Sequence, residues 1–444
     1  MTPLFSFLLL VPLSALQSCP DPGSITYLEG LAKAVVEEAR VRPGQRVPGG
    51  PAPENTTGVT LIQPGGRSAY PSYWIRDFAM SLDCGYVTAD EMLAALRLTA
   101  QVQNADHEKR LQSGGRVPPY AIPDHVRFDG KPVFYPGTYS AGEDQGADPW
   151  GPLPPADDHF YFVHIAFDLW KATGDKAFLS QLVGGMTIRE HLERAYAAPE
   201  VDGATGAVVC RPSTRCVGFG FDDSVYMTGA MAFATLLRFQ AARELAELVG
   251  EAGRHSLRSP SSYRKEARKI GSHFVELFGG RNAVQGWCRA STGISGQADV
   301  WATLFALHLG VLPRDAATKA RFAIAQALRA GTIEYRGAVR HVPTNLDARP
   351  DSAWDRSVAA LNQYQNGGYW HTPTGWLVEA LWKSDKALAC AVLARYLAYL
   401  QERDFRKGGD APVECLGPND GGWSQNACYM TSITVPVAVL RTLR

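Results

Sequence analysis

The stretch DKALACAVLARYLAYL, Asp385 to Leu400, decides how the chain is read. Leu388, Val392, Tyr396 and Leu400 recur every fourth residue, with Ala389, Leu393 and Leu397 beside them. That spacing gives one broad apolar face on an α-helix, the face a helix buries against a partner. The same periodicity returns near 26–41, 75–86, 89–104, 158–174, 176–198, 223–249, 262–279, 297–310, 315–330, 372–383, 385–403 and 426–443. Strand signals are short and few, at Ala207–Val209 and Ala338–Val342. About twelve amphipathic helices with long loops between them predict an all-α (α/α)6 toroid: an inner ring of helices inside an outer ring, with the loops gathered at one mouth. Two stacked helical domains are the rival, but no charged or low-complexity linker divides the chain.

The longest loop runs from Asn104 to Ala156 and is rich in Pro and Gly. It also carries Tyr120, Phe128, Phe134, Tyr135, Tyr139 and Trp150, so it is expected to be ordered, because disordered segments are poor in aromatics. Bulk composition narrows the function classes. Lys plus Arg and Asp plus Glu both number 44, giving no basic excess to attract nucleic acid or an anionic membrane. Aromatics make up 10% of the chain, which suits either a large core or a site that stacks flat ligands such as sugar rings.

The N-terminus reads as a secretory signal over residues 1–19. Leu4–Leu16 is apolar, uncharged and too short to span a bilayer, and small residues follow it. Leu16-Gln17-Ser18-Cys19 resembles a lipobox, with Cys19 as the residue to be lipidated. Residues 20–444 are then read as one catalytic domain, exported to the periplasm, the extracellular space or a lipid anchor, with no later transmembrane segment. Of the eight cysteines, Cys210 with Cys216 and Cys415 with Cys428 are spaced for local disulfides, which export permits; buried thiols are the alternative. No CxxC is present, so no structural zinc site is expected.

Four stretches combine carboxylates or amides with aromatics. In Tyr73-Trp74-Ile75-Arg76-Asp77-Phe78, Trp74 is placed to stack on a sugar while Arg76 and Asp77 bind hydroxyls; the plain alternative is a helix start with an ion pair. In Gly218-Phe-Gly-Phe-Asp222-Asp223-Ser-Val-Tyr-Met-Thr-Gly229, one aspartate can cap the next helix while the other faces a cleft. Phe221 and the neighbouring charge of Asp223 would raise the Asp222 carboxyl, as a proton donor requires. In Val413-Glu414-Cys415 through Trp423, Glu414 is a candidate second carboxylate and Trp423 a substrate contact. In Asn362 through His371, Asn366, Tyr369, Trp370 and His371 set amides and flat rings around a Gly367-Gly368 turn; the alternative is a capped loop with its aromatics buried beneath it and a structural His371. Walker, GxSxG and HExxH motifs are absent.

In their order along the chain these stretches resemble the six-hairpin (α/α)6 glycoside hydrolases, a group that includes trehalases, processing α-glucosidases, glucoamylases and α-rhamnosidases. Trp74-Ile75-Arg76-Asp77 is similar to their early W-x-R-D segment, whose Asp holds a sugar hydroxyl. Gly220-Phe221-Asp222-Asp223-Ser224 is similar to the segment that carries their general acid. Asn366-Gly367-Gly368-Tyr369-Trp370 and the Glu414 loop are similar to later loops, the last of them carrying the general base. The resemblance implies inverting hydrolysis of a glycosidic bond in an oligosaccharide or glycoconjugate, with Asp222 as acid and Glu414 as base. A one-residue shift moves the acid role to Asp223, and Glu143 is a reserve base or substrate contact. The implied partner is a carbohydrate. No redox cofactor and no catalytic metal are implied, with structural Ca2+ left open by the many loop carboxylates. Other functions remain on the same toroid: a sugar epimerase using His308, His341 or His371, a uronyl hydrolase using Arg211, Arg215 or Arg340, or a glycan-binding protein without catalysis.

Overall fold

The computed structural model describes residues 19, 21–47, 53–65, 69–250, 256–418 and 423–443. All but Cys19 of the expected signal at residues 1–19, and the Asn419–Gly422 part of the last loop, lie outside the described residues. Among the described residues there are twelve α-helices: α1 Pro22–Ala39, α2 Ile75–Met80, α3 Ala89–Val102, α4 Asp158–Thr173, α5 Ile188–Ala197, α6 Ala232–Leu248, α7 Pro260–Phe278, α8 Val300–His308, α9 Arg314–Arg329, α10 Thr374–Trp382, α11 Lys386–Glu402 and α12 Thr431–Leu440.

The even-numbered helices close a ring. Helix α2 packs on α4, α4 on α6, α6 on α8, α8 on α10, α10 on α12, and α12 returns to α2. The outer helices lie against that ring, α1 on α12, α3 and α5 on α4, α7 on α6, and α9 and α11 on α10. This is the (α/α)6 toroid. Sequence explains the division of labour. Every residue of α8 from Val300 to Ala306 is buried, as for a helix enclosed on all sides. Helix α11 instead buries the predicted face, Ala389, Val392, Leu393, Tyr396, Leu397 and Leu400, and leaves Arg395 on the outside to pair with Glu334.

Helix starts fall where local chemistry allows. Thr88 with Glu91 and Thr187 with Glu190 form capping boxes, and Asp21, Ser259, Asp299 and Asp385 accept backbone N–H groups at other N-termini. Three helices start later than periodicity suggests. Helix α5 waits for a hairpin turned by Gly184 and Gly185, both at positive φ. Helix α6 begins at Ala232 rather than 223, because Gly229 at φ +85° turns the chain first. Helix α12 begins at Thr431 because Ser424–Ala427 pairs with Val413–Leu416 as a strand.

The long 104–156 loop is ordered, with two small hairpins and its own core of Leu111, Val117, Ala121, Phe134 and Tyr135 capped by Trp150. The predicted local disulfides do not form: Cys210 is not bridged to Cys216, nor Cys415 to Cys428. Instead Cys19 is bonded to Cys390 on α11.

Candidate active site

The segments leading into α2, α4, α6, α10 and α12 build a cleft. It is lined by Tyr70, Trp74, Arg76 and Asp77 around the start of α2, by Asp124 and Pro136–Tyr139 before α4, by Gly220, Phe221 and Asp223 before α6, by Tyr364 before α10, and by Glu414 and Tyr429 before α12.

The wall begins at the strand Ser72–Trp74, which pairs with His125–Arg127. Trp74 stacks on His125, with ring centres 4.1 Å apart and planes 17° apart, and meets Tyr70 and Tyr139 edge-on. Tyr139 is 42% exposed and marks the rim.

Arg76 is the buried hub beneath this wall. Its Nε donates to Asp157 Oδ2 at 2.7 Å and its Nη2 to Asp124 Oδ1 at 2.9 Å, with Asp158 3.7 Å away and Asp77 4.0 Å away. Those bonds hold the guanidinium in place at the base of the cleft, which Arg76 also lines. Asp157 Oδ2 also accepts the Gly220 N–H at 2.8 Å. A Cβ on Gly220 would sit 1.7 Å from the Arg76 guanidinium carbon, which is why glycine stands there. Gly220→Ala is therefore expected to lose about 3 kcal/mol in chemical denaturation, because it must displace a buried, paired arginine. Stability within about 0.5 kcal/mol of the wild type would show that the hub yields.

Arg76, Asp157 and Gly220 fix the turn that carries the two aspartates. Gly220–Asp222 is one turn of 3-10 helix, and a tight turn of that kind sends adjacent side chains in different directions. Asp223 lines the cleft. Asp222 faces inward, 3.3 Å from His341 Nε2, and does not line the cleft. Neither aspartate caps α6, whose N-cap is Met231. Gln365 holds the turn from the other side, accepting the Ser224 N–H at 2.8 Å and donating to the Gly220 carbonyl at 3.3 Å.

Glu414 also lines the cleft, buried on its strand and surrounded by donors. The Tyr70 hydroxyl lies 3.0 Å from both carboxylate oxygens, Tyr364 donates to Oε1 at 3.3 Å and Gln425 to Oε2 at 3.0 Å, and Asn426 also bonds Oε2. Tyr70 reaches this position with φ at +54°, a conformation uncommon for a non-glycine residue and often kept at functional sites. Asp77 accepts the Tyr429 hydroxyl at 2.7 Å.

Burial dominates the electrostatics. It pushes Asp223 up to about 7 against the Gln365 hydrogen bond and Arg76. It lifts Glu414 to about 8 against the amides of Asn426 and Gln425 and the Tyr70 hydroxyl. Asp77 rises to about 6 for the same reason, opposed by Arg76. Asp222 is raised well above the carboxylate range by burial and by Asp299 and Asp223.

The remaining sequence candidates lie elsewhere. Glu143 is exposed and pairs with Lys109, outside the cleft. Asn366 is buried under the 352–366 loop, donating to the Ala359 carbonyl and accepting the Ala353 N–H. Gly367 at φ +107° makes the expected turn, and Gly368 passes so close to Cys415 that a Cβ would lie 2.5 Å from its sulfur. Tyr369 and Trp370 form a buried strand beneath the floor, where Trp370 packs edge-on to Phe221. His371 is fully buried, and its Nε2 meets the Arg336 carbonyl. Trp423 packs at the edge of the core and does not line the cleft. Tyr70, Asp124, Tyr139, Tyr364 and Tyr429 line it without having been singled out.

The epimerase and uronyl hydrolase candidates fare no better. His341 is buried against Trp301, and His308 pairs with Glu379 away from the cleft. Arg215 is held by Asp148 and Arg340 by Asp347, and neither these two nor Arg211 lines the cleft.

No family model and no curated protein matches this sequence. Solved structures do match over nearly the whole chain. A glucoamylase from Saccharomycopsis fibuligera is 11% identical with a TM-score of 0.59, and the match covers 94% of each chain. A GH63 mannosylglycerate hydrolase from Thermus thermophilus, in complex with glucose, is 15% identical with a TM-score of 0.53, covering 93% of this chain and 99% of the other. A wild-type protein described as a glycosidase is 12% identical with a TM-score of 0.53, covering 95% and 98%. The toroid is thus the fold of the six-hairpin glycosidases.

Proposed function

We propose that this protein is a glycoside hydrolase that cleaves by inversion, with Asp223 as general acid and Glu414 as general base. The observation that carries the reading is that half-buried Asp223 and buried Glu414 line one cleft, beside a stacked tryptophan wall. Asp223 replaces Asp222 in the acid role because its side chain lines the cleft. In the reaction, protonated Asp223 gives its proton to the glycosidic oxygen as that bond breaks. Glu414 takes a proton from a water that attacks the anomeric carbon from the opposite face. Tyr70 and Tyr364 donate to Glu414 and orient its carboxyl for the water, Asp77 with Tyr429 holds a sugar hydroxyl, and Trp74 faces the ring. The substrate is an oligosaccharide or glycoconjugate. The chain acts as one catalytic domain in an exported protein, a location the Cys19–Cys390 bond supports, and needs no redox cofactor.

Glucosides are the first substrates to screen, since the GH63 relative of this fold was solved with glucose. Hydrolysis of an α- or β-glucoside followed by proton NMR reads the configuration of the first product. Inverted configuration is expected; a retained product, or sugar binding without turnover across a wide panel, would overturn the reading.

The pH profile is a second check. The active form needs Asp223 protonated and Glu414 ionised. The acid limb falls as Glu414 takes up a proton, and the alkaline limb falls as Asp223 loses one. Both carboxyls are raised, to about 7 and about 8, so kcat/KM is expected to peak near that interval. A maximum near pH 4, where unshifted carboxyls titrate, would contradict the burial argument.

A further inference from the structure

The inner ring has a second cavity at its other mouth, where α2, α8 and α12 end. Met80, Asp83, His164, Gln240, His308 and Trp376 are among its lining residues. Three side chains converge there. His164 and Asp168 lie one turn apart on α4, and Asp83 follows α2. One oxygen or nitrogen from each lies within 4.8 Å of the others.

The histidine is presented as a ligand. Its Nδ1 contacts Glu244 Oε1 at 2.7 Å, and Gln240 also donates to that oxygen at 2.8 Å. A carboxylate on Nδ1 fixes the orientation of the ring and leaves Nε2 toward the two aspartates, the arrangement found behind metal-bound histidines. That Nε2 is 3.6 Å from Asp168 Oδ2 and 3.8 Å from Asp83 Oδ2. These separations exceed a hydrogen bond. They match two ligands about 2.1 Å from one ion at an angle near 120°. Independently, Asp168 is 4% exposed, and its Oδ2 has no hydrogen-bond partner although it faces the histidine. Asp83, Asp168 and Glu244 are matched in this cluster by His164 and by Lys171, whose ammonium sits 3.0 Å from Asp83 Oδ1 and 3.3 Å from Asp168 Oδ1.

We propose that Asp83, His164 and Asp168 bind a divalent transition-metal ion, with Glu244 orienting the histidine and the open coordination position facing the cavity. A nitrogen ligand beside two carboxylates suits Zn2+ or Co2+ better than Ca2+, which takes oxygen ligands. The ion ties α4 to the turn after α2 at the end of the ring away from the cleft. The site stands whether or not the hydrolase reading holds, and its test does not use activity.

The full chain, stripped with a chelator and then titrated with Co2+ or Zn2+ near neutral pH, is expected to bind one equivalent and to gain several degrees in Tm. Bound Co2+ should show the visible absorption of a low-coordinate site. His164→Ala and Asp168→Asn should weaken binding at least 100-fold, and Glu244→Gln about 10–100-fold. Lys171→Ala should bind several-fold tighter, because its ammonium no longer competes for the aspartate oxygens. That variant is on the surface and keeps the test sharp if a His164 variant fails to fold. No binding, no change in Tm, or binding indifferent to both Asp168→Asn and Lys171→Ala would overturn the proposal and leave His164 as a protonated structural ion.

Discussion

Asp223→Asn is expected to lower kcat by about 10^3-fold, with KM changed far less, while Asp222→Asn keeps activity within about tenfold of the wild type. The two side chains are adjacent and chemically identical, so the contrast isolates geometry. Asp223 lines the cleft. Asp222 lies against His341, whose ring stacks at 4.3 Å on Trp301, and its carboxyl is shut off from the cleft. Removing a proton donor from the reacting oxygen removes transition-state stabilisation, which appears in kcat. Removing Asp222 affects an internal packing site and acts on stability. An activated leaving group, such as a nitrophenol, should rescue Asp223→Asn in large part, because it departs without a proton. The reverse result, an active Asp223→Asn and a dead Asp222→Asn, would return the acid role to Asp222 and place the substrate on a path the cleft does not show.

The case of these two aspartates also shows where sequence reading stops. Helix periodicity is a local property, and all twelve helices were visible in it, α11 most clearly. Closure of the even helices into a ring is not local, and it was reached only through helix number and loop length. The candidate site was legible as segments rather than as side chains. Trp74, Asp77 and Glu414 reach the cleft from the expected stretches, but Trp370 comes from an equally suggestive one and lies beneath the floor. Along a strand, neighbouring residues face opposite ways, so an aromatic beside a glycine turn carries no information about which side it serves. Tyr70 was beyond reach for another reason, since its role depends on a positive φ that no residue pattern announces. His164 and Asp168 looked like ordinary members of a core helix, because their partners Asp83 and Glu244 come from distant parts of the chain.

Glu414→Gln is expected to abolish measurable turnover and, at the same time, to raise stability at alkaline pH. The sign follows from burial. In the folded chain the Glu414 carboxyl is raised from 4.5 to about 8, so folding favours its protonated form. Below about pH 4 both folded and unfolded chains hold the proton, and this carboxyl costs nothing. As pH rises from there toward 8 the unfolded chain ionises freely while the folded chain must either keep the proton or bury a charge. Stability falls across that window and is lowest above it. Each pKa unit corresponds to about 1.4 kcal/mol. Allowing for relaxation and entering water, the cost at pH 8 is on the order of 2–3 kcal/mol. A neutral amide of the same shape escapes that penalty, so Glu414→Gln should melt several degrees higher than the wild type at pH 8 and near the same temperature at pH 4. The amide oxygen can accept from Tyr70 and Tyr364, while Gln425 and Asn426 must turn their own amide oxygens toward the new NH2; Glu414→Ala would leave all four groups without a partner and should destabilise at both pH values. A gain at pH 8 alone, together with lost turnover, would mean that the site holds an unfavourable buried charge that folding by itself does not need. Equal melting temperatures at both pH values would mean that water reaches Glu414 freely and that its environment does not tune it for proton abstraction.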